Sequence, residues 1–228
     1  MFIAGLNKTT LLDYPGRVAA TIFTGGCNFR CPFCHNASLL DGMAEKISEE
    51  EVLAFLKKRK GLLDGVCITG GEPLLQHDIA DFIRKVREMG YAVKLDTNGS
   101  FPIKLKELVT SGLIDYAAMD VKNCPEKYSM TAGCEKLTFS NVEESIDFLL
   151  GGNIEYEFRT TVVKEYHTVS DIEKLAKRIS GAKRYFLQYF VDSGNVLKDG
   201  LYPVNKEIME KMRAAAENHV CSAEIRGG

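Results

Sequence analysis

The sequence predicts an α/β fold built from about six βα units in one domain. Short apolar, β-branched runs alternate along the chain with helix-length amphipathic stretches. Short loops cannot join parallel strands without a crossover helix, so this alternation implies a parallel sheet. No composition break or linker divides the 228 residues, which are enough for one sizeable α/β domain. The sheet is either doubly wound and open or curled into an incomplete barrel, and periodicity does not separate the two. In both, reactive residues belong where strands end and loops begin.

Each element has its own signal. Val18 to Thr24 is a β-branched apolar run and reads as a strand. Ser48 with Glu51 three residues on is a capping box, opening a helix that runs to about Lys60. Gly65 to Thr69 reads as a buried strand. Asp78 to Met89 has helical periodicity and stops at Gly90. A strand over Tyr91 to Asp96, a helix over Lys104 to Ser111 and a strand over Ile114 to Val121 follow. Asn141 to Leu150 is a helix closed by Gly151-Gly152, then Ile154 to Val163 is a strand. Val169 to Ile179 is a helix opening near Ser170, and Arg184 to Val191 a strand. Asn205 to Asn218 is the last helix, and Val220 to Ile225 a final strand.

Bulk properties exclude several classes. Hydrophobic residues make up 45% and charged residues 26%, ordinary for a globular protein. A net charge of −2 sets up no global field toward nucleic acid or an anionic membrane, so neither is expected as a partner. No apolar run reaches the roughly 18–20 residues that span a bilayer. The first residues lack the charged-then-apolar layout of a signal peptide. The expected location is the cytoplasm, with the seven cysteines reduced.

The chemistry concentrates in Cys27-Asn-Phe-Arg-Cys31-Pro-Phe-Cys34. Four thiolates would close a zinc site or fully ligate a four-iron cluster. Three leave one iron of a [4Fe–4S] cluster open to a small molecule. A zinc site using Cys31 and Cys34 needs a second ligand pair, and no C-x2-C or H-x3-H follows. Cys67, Cys124, Cys134 and Cys221 are scattered. Thr69-Gly70-Gly71-Glu72-Pro73 closes a strand with two glycines, which let backbone approach a ligand or simply make a turn.

Taken together, the cysteine motif and Gly70-Gly71-Glu72-Pro73 resemble the radical S-adenosylmethionine (SAM) superfamily. The resemblance covers nearly the whole chain and implies an α/β fold, a partial (βα)6 TIM-like barrel. Residues 1–16 would be an N-terminal extension and about 17–228 the core. It implies that Cys27, Cys31 and Cys34 are the metal ligands and catalytic centre, holding a [4Fe–4S] cluster. The SAM amino and carboxylate groups would take the fourth iron. Phe33 would lie by the adenine, and Gly70, Gly71 and Glu72 by the methionine. One electron from the reduced cluster would then break a C–S bond, giving methionine and a 5′-deoxyadenosyl radical.

Leu95-Asp96-Thr97-Asn98-Gly99 and Met119-Asp120-Val121-Lys122 resemble the glycyl-radical-enzyme activating proteins of the pyruvate formate-lyase activase type, and Arg159 matches an arginine of that group. This implies that Asp96, Asp120, Lys122 and Arg159 surround SAM, with the two carboxylates able to hold a monovalent cation. On the residues alone, Asp96 can instead cap the turn before Asn98-Gly99, and Lys122 can be a solvated loop lysine. The stretches Leu6 to Gly16, Phe23 to Asn36 and Ile225 to Gly227 resemble the longer form of anaerobic ribonucleoside-triphosphate reductase activating proteins. The implied partners are a glycyl radical enzyme, namely anaerobic ribonucleotide reductase, and flavodoxin or ferredoxin as electron donor. The alternative is a radical SAM enzyme acting on a small molecule in cofactor or modified-base synthesis.

The pattern departs from the pyruvate formate-lyase type at the sixth strand. Gln188-Tyr189-Phe190 stands where that type carries a Tyr-His pair, so Gln188 would have to serve adenosine. No cysteine lies between Cys34 and Cys67, which speaks against an auxiliary cluster there. Cys124 and Cys134 read as structural or incidental, and His77 and His167 as surface or loop residues without an assigned role. His35 either lies over the cluster or packs structurally. Lys57 to Lys60 reads as a solvated helix end.

Overall fold

The computed structural model describes residues 1–40, 45–192 and 194–227. In chain order the elements are β1 (Ile3–Thr10), β2 (Ala19–Thr24), α1 (Glu49–Lys58), β3 (Gly65–Gly70), α2 (Ile79–Glu88), β4 (Ala92–Thr97), α3 (Pro102–Thr110), β5 (Tyr116–Asp120), α4 (Pro125–Ala132), α5 (Phe139–Leu150), β6 (Glu155–Val162), α6 (Val169–Arg178), β7 (Tyr185–Tyr189), α7 (Lys206–Glu217) and β8 (Ala223–Arg226).

All eight strands form one sheet in the order of the chain, with β1 and β8 as its edges. β1 runs antiparallel to β2, and every pair from β2 to β8 is parallel. A doubly wound sheet reverses its strand order at a switch point. This one never does. Right-handed crossovers that always step the same way put every helix on one face. The sheet therefore curls around its other face and stays open between β1 and β8: an incomplete barrel.

Side chains obey the period of two. Ile22, Ile68, Leu95, Met119, Phe158 and Leu187 point outward and pack with Leu56, Phe82, Leu105, Ile146, Leu175 and Met209 from the helices. Their neighbours in sequence share the inner face through the register Thr21–Cys67–Lys94–Tyr116 and Asp120–Arg159–Phe186. That inner face is where the polar residues collect.

Caps set the helix starts. Ser48 Oγ accepts from the Glu51 N–H at 3.1 Å, and α1 ends at Lys58, two residues before the expected stop. α6 opens at Thr168 rather than near Ser170, because Thr168 and Asp171 form a reciprocal capping box. Asn205 caps α7 through the Ile208 N–H.

Two elements were not expected. Residues 3–10, read as an extension outside the core, are strand β1, whose Ile3 is fully buried. α4 carries no amphipathic signal, since Tyr128 is its only large buried side chain; Pro125 at its first turn and Gly133 at its end define it instead.

Candidate active site

The cysteine loop follows β2 and is tied down along its length. Gly71 N donates to Thr24 O (2.9 Å) and Glu72 N to Gly26 O (2.9 Å). Arg30 N donates to Ala132 O at the end of α4 (2.9 Å), and Lys198 N to Pro32 O (3.0 Å). Gly70 has φ +124, and a Cβ there would sit 2.2 Å from Thr24 N; one on Gly71 would sit 2.0 Å from Gly26 O. The backbone that these glycines admit is the chain's own, entering the cysteine loop.

Beside this loop, at the C-terminal strand ends, lies a cavity of ≈230 Å³. Cys27, Phe33, Cys31 and Cys34 line it, as do Gly70, Gly71, Asp96, Asp120, Lys122 and Arg159. Ten of the eleven expected site residues thus meet at one place. The eleventh, Glu72, does not line the cavity. Its carboxylate is 0% exposed and faces the backbone behind the wall. Oε1 accepts from Leu74 N (3.1 Å) and Thr97 Oγ1 (2.8 Å), and Oε2 from Asn98 N (2.7 Å). Glu72 therefore locks the end of β3 to the end of β4. Burial pushes its carboxyl up to about 7 despite the three donors.

The charged residues form one chain across the cavity floor. Lys94 Nζ pairs with Asp96 Oδ1. Arg159 Nη1 reaches Asp96 Oδ2 at 3.1 Å, and Arg159 Nε reaches Asp120 Oδ1 at 2.8 Å. Lys122 Nζ closes on Asp120 Oδ2 at 3.1 Å. Burial alone would raise both carboxyls, but Arg159 with Lys94 holds Asp96 below the usual carboxylate range, and Arg159 with Lys122 holds Asp120 well below it. Burial opposes charge on Lys122 too, and Asp120 outweighs it. Asp96 is no turn cap: Asn98 Oδ1 takes the Ser100 N–H (2.9 Å) and Thr97 Oγ1 the Gly99 N–H (3.1 Å). Lys122 is largely buried rather than solvated.

Aromatic and imidazole groups complete the walls. Phe33 packs on Tyr166 and edge-on to His167. His35 lines the cavity and stacks 5.7 Å from Phe190, which is itself buried. Gln188, not Phe190, is the β7 residue that faces the cavity.

His167, given no role from sequence, accepts the Val163 N–H on Nδ1 (3.0 Å), so its Nε2–H donates to the Lys122 carbonyl (2.8 Å). Burial lowers its pKa, which keeps it in this neutral form. It fixes the loop that carries Lys122. Lys94 was also missed, although a lysine between Val93 and Leu95 was a legible oddity in a buried strand.

Burial pushes the Cys27 thiol up to about 12 and the Cys31 thiol up to about 11, and raises Cys34. Metal coordination deprotonates such thiols outright. Among the described residues no group of three His, Cys, Asp or Glu side chains converges on a single ion. Three separate thiols around one cavity suit a multi-iron cluster, in which each iron takes its own thiolate.

An incomplete barrel with a three-thiol cavity at its strand ends defines a class of cofactor-dependent enzyme. The radical SAM superfamily model matches residues 21–179, and the chain belongs to that superfamily. Its cofactors are a [4Fe–4S] cluster and SAM. A candidate glycyl-radical enzyme activating enzyme of Methanocaldococcus jannaschii is 35% identical over 196 residues, covering 82% of this chain and 79% of its own. The 7-carboxy-7-deazaguanine synthase of Thermoplasma acidophilum is 30% identical over 181 residues, covering 74% and 82%. Streptococcus suis SuiB bound to its precursor peptide SuiA shares the fold at TM-score 0.72 and 14% identity, over 91% of this chain and 48% of that one. Among the described residues no helix is long and apolar enough to cross a membrane.

Proposed function

We propose that this chain installs a glycyl radical in a partner enzyme, an anaerobic ribonucleoside-triphosphate reductase, in the cytoplasm and with flavodoxin or ferredoxin as electron donor. The observation that carries this reading is the convergence of Cys27, Cys31 and Cys34 with Asp96, Asp120, Lys122 and Arg159 on one cavity. When bound, the cluster and SAM supply a 5′-deoxyadenosyl radical able to take a hydrogen atom from a glycine α-carbon. Cys27, Cys31 and Cys34 would hold the cluster through three thiolates, one fewer than its four irons, and so would leave a position for SAM. The Gly70 and Gly71 backbone and the Lys122 ammonium hold the methionyl end. Arg159 keeps Asp96 and Asp120 oriented without a free acid in the cavity, so no proton is offered to the substrate there. Phe33 covers the adenine side, and Gln188 supplies the polar contact that Phe190 cannot. The likeness to SuiB supports a polypeptide substrate, since a protein of this fold receives one.

The likeness to 7-carboxy-7-deazaguanine synthase keeps a small-molecule reading in play. Anaerobic incubation of the loaded enzyme, reductant, SAM and the reductase separates the two. Electron paramagnetic resonance should show a glycyl doublet in the reductase. Consumption of a small metabolite with no signal in any partner would overturn the activase reading.

A further inference from the structure

Lys94 has no part in the roles above and does not itself line the cavity, yet it is the most deeply buried member of the charged chain beneath it. Its side chain is 1% exposed and lies on the inner face of β4, one layer below Asp96. A buried ammonium needs a partner of opposite charge, and Asp96 provides it. The thiol of Cys67, 3.7 Å from Lys94 Nζ, is the other polar neighbour.

Each oxygen of the two carboxylates thus already has a cationic partner in the chain itself. Asp96 Oδ1 has Lys94, Asp96 Oδ2 and Asp120 Oδ1 have Arg159, and Asp120 Oδ2 has Lys122. Each carboxylate therefore already faces two cations of the chain, Asp96 with Lys94 and Arg159, and Asp120 with Arg159 and Lys122. A further cation would meet repulsion from Arg159 and Lys94 at short range in a poorly solvated site. We propose that Lys94 is a built-in counter-ion: its ammonium occupies the place of a dissociable monovalent cation at Asp96, and SAM binding by this enzyme is independent of potassium and sodium.

Lys94 is on this view a positioning residue. It fixes Asp96, and Asp96 with Asp120 fixes the Arg159 guanidinium that spans them. The proposal rests on the cavity being the SAM site. Burial would discharge Lys94, but Asp96 outweighs it and keeps the ammonium charged.

The test is equilibrium dialysis of labelled SAM against the anaerobic, cluster-loaded protein. Affinity of the wild type should be the same in potassium chloride, sodium chloride and tetramethylammonium chloride, whose cation is too large to enter. A tenfold or greater gain on adding potassium or sodium would overturn the proposal without any variant being made. Lys94→Ala should bind SAM about tenfold more weakly in tetramethylammonium chloride and recover in potassium chloride or with ethylammonium. A folded Lys94→Ala protein whose affinity ignores the cation would also overturn it, since a purely structural lysine predicts that result. Wild type that binds no SAM in any salt would instead remove the site reading, and the proposal with it.

Discussion

Glu72 shows how one buried carboxyl shapes behaviour over a range of pH. Its pKa of about 7 in the folded chain lies above its ordinary value of 4.5, because burial outweighs three hydrogen-bond donors. The folded chain therefore keeps a proton that the unfolded chain has released. Its contribution to stability falls as pH rises from about 4.5 to about 7 and is flat above that, a loss on the order of 3 kcal/mol. Denaturant midpoints across pH 5 to 8 should show this slope, and Glu72→Gln should flatten it. An unchanged slope in the variant would assign the effect elsewhere. The three cysteines were legible because their spacing is local. The fold role of Glu72 was not: its partners Thr97 and Asn98 are 25 and 26 residues away in sequence, and only folding brings its carboxylate to the end of β4.

At the scale of elements, the ends of α4 and β8 serve the site from a distance. Gly133 ends α4 at φ +60, and a Cβ there would lie 2.0 Å from the Arg30 carbonyl in the cysteine loop. Gly133→Ala should cost about 2 kcal/mol and lower the iron bound per chain. Gly181→Ala, also at positive φ (+80) but with nothing within 4 Å, should cost about 1 kcal/mol and leave iron loading alone. Equal iron loss in both would refute the buttress.

On β8, Arg226 grips Glu157 through two bonds of 2.8 and 3.0 Å, reaching across β7 to β6. Glu157 is 1% exposed. Arg226→Met leaves that charge without its ion-pair partner, with the Tyr116 hydroxyl still bonded at 2.9 Å, and should destabilise the chain by about 2 kcal/mol, a buried-pair loss reduced by solvent at the half-open arginine. Thermal unfolding measures it, and an unchanged midpoint would contradict the clasp. Two elements, β1 and α4, are weakly written in sequence. β1 carries Asn7, Lys8 and Thr9 at an exposed edge, and α4 lacks a repeating apolar face, so periodicity passed over both.

For the whole molecule, the topology makes the site. Strands laid down in chain order bring the last residues of β3 to β7 to one rim, where the cysteine loop from β2 meets them. The alternation of strands and helices was readable because it is local. The choice between a wound sheet and a curled one was not, since it depends on which strand pairs with which. Arg159 and Asp96, 63 residues apart, meet only because the sheet curls.

The most direct test of this account is 5′-deoxyadenosine formation by anaerobically reconstituted protein with SAM and reductant, read beside iron and sulfide content. Wild type should bind about four irons and four sulfides and release 5′-deoxyadenosine, while Cys31→Ala should fold, lose the cluster and release none. One zinc per wild-type chain, or cleavage that persists in Cys31→Ala, would contradict the assignment of the three cysteines.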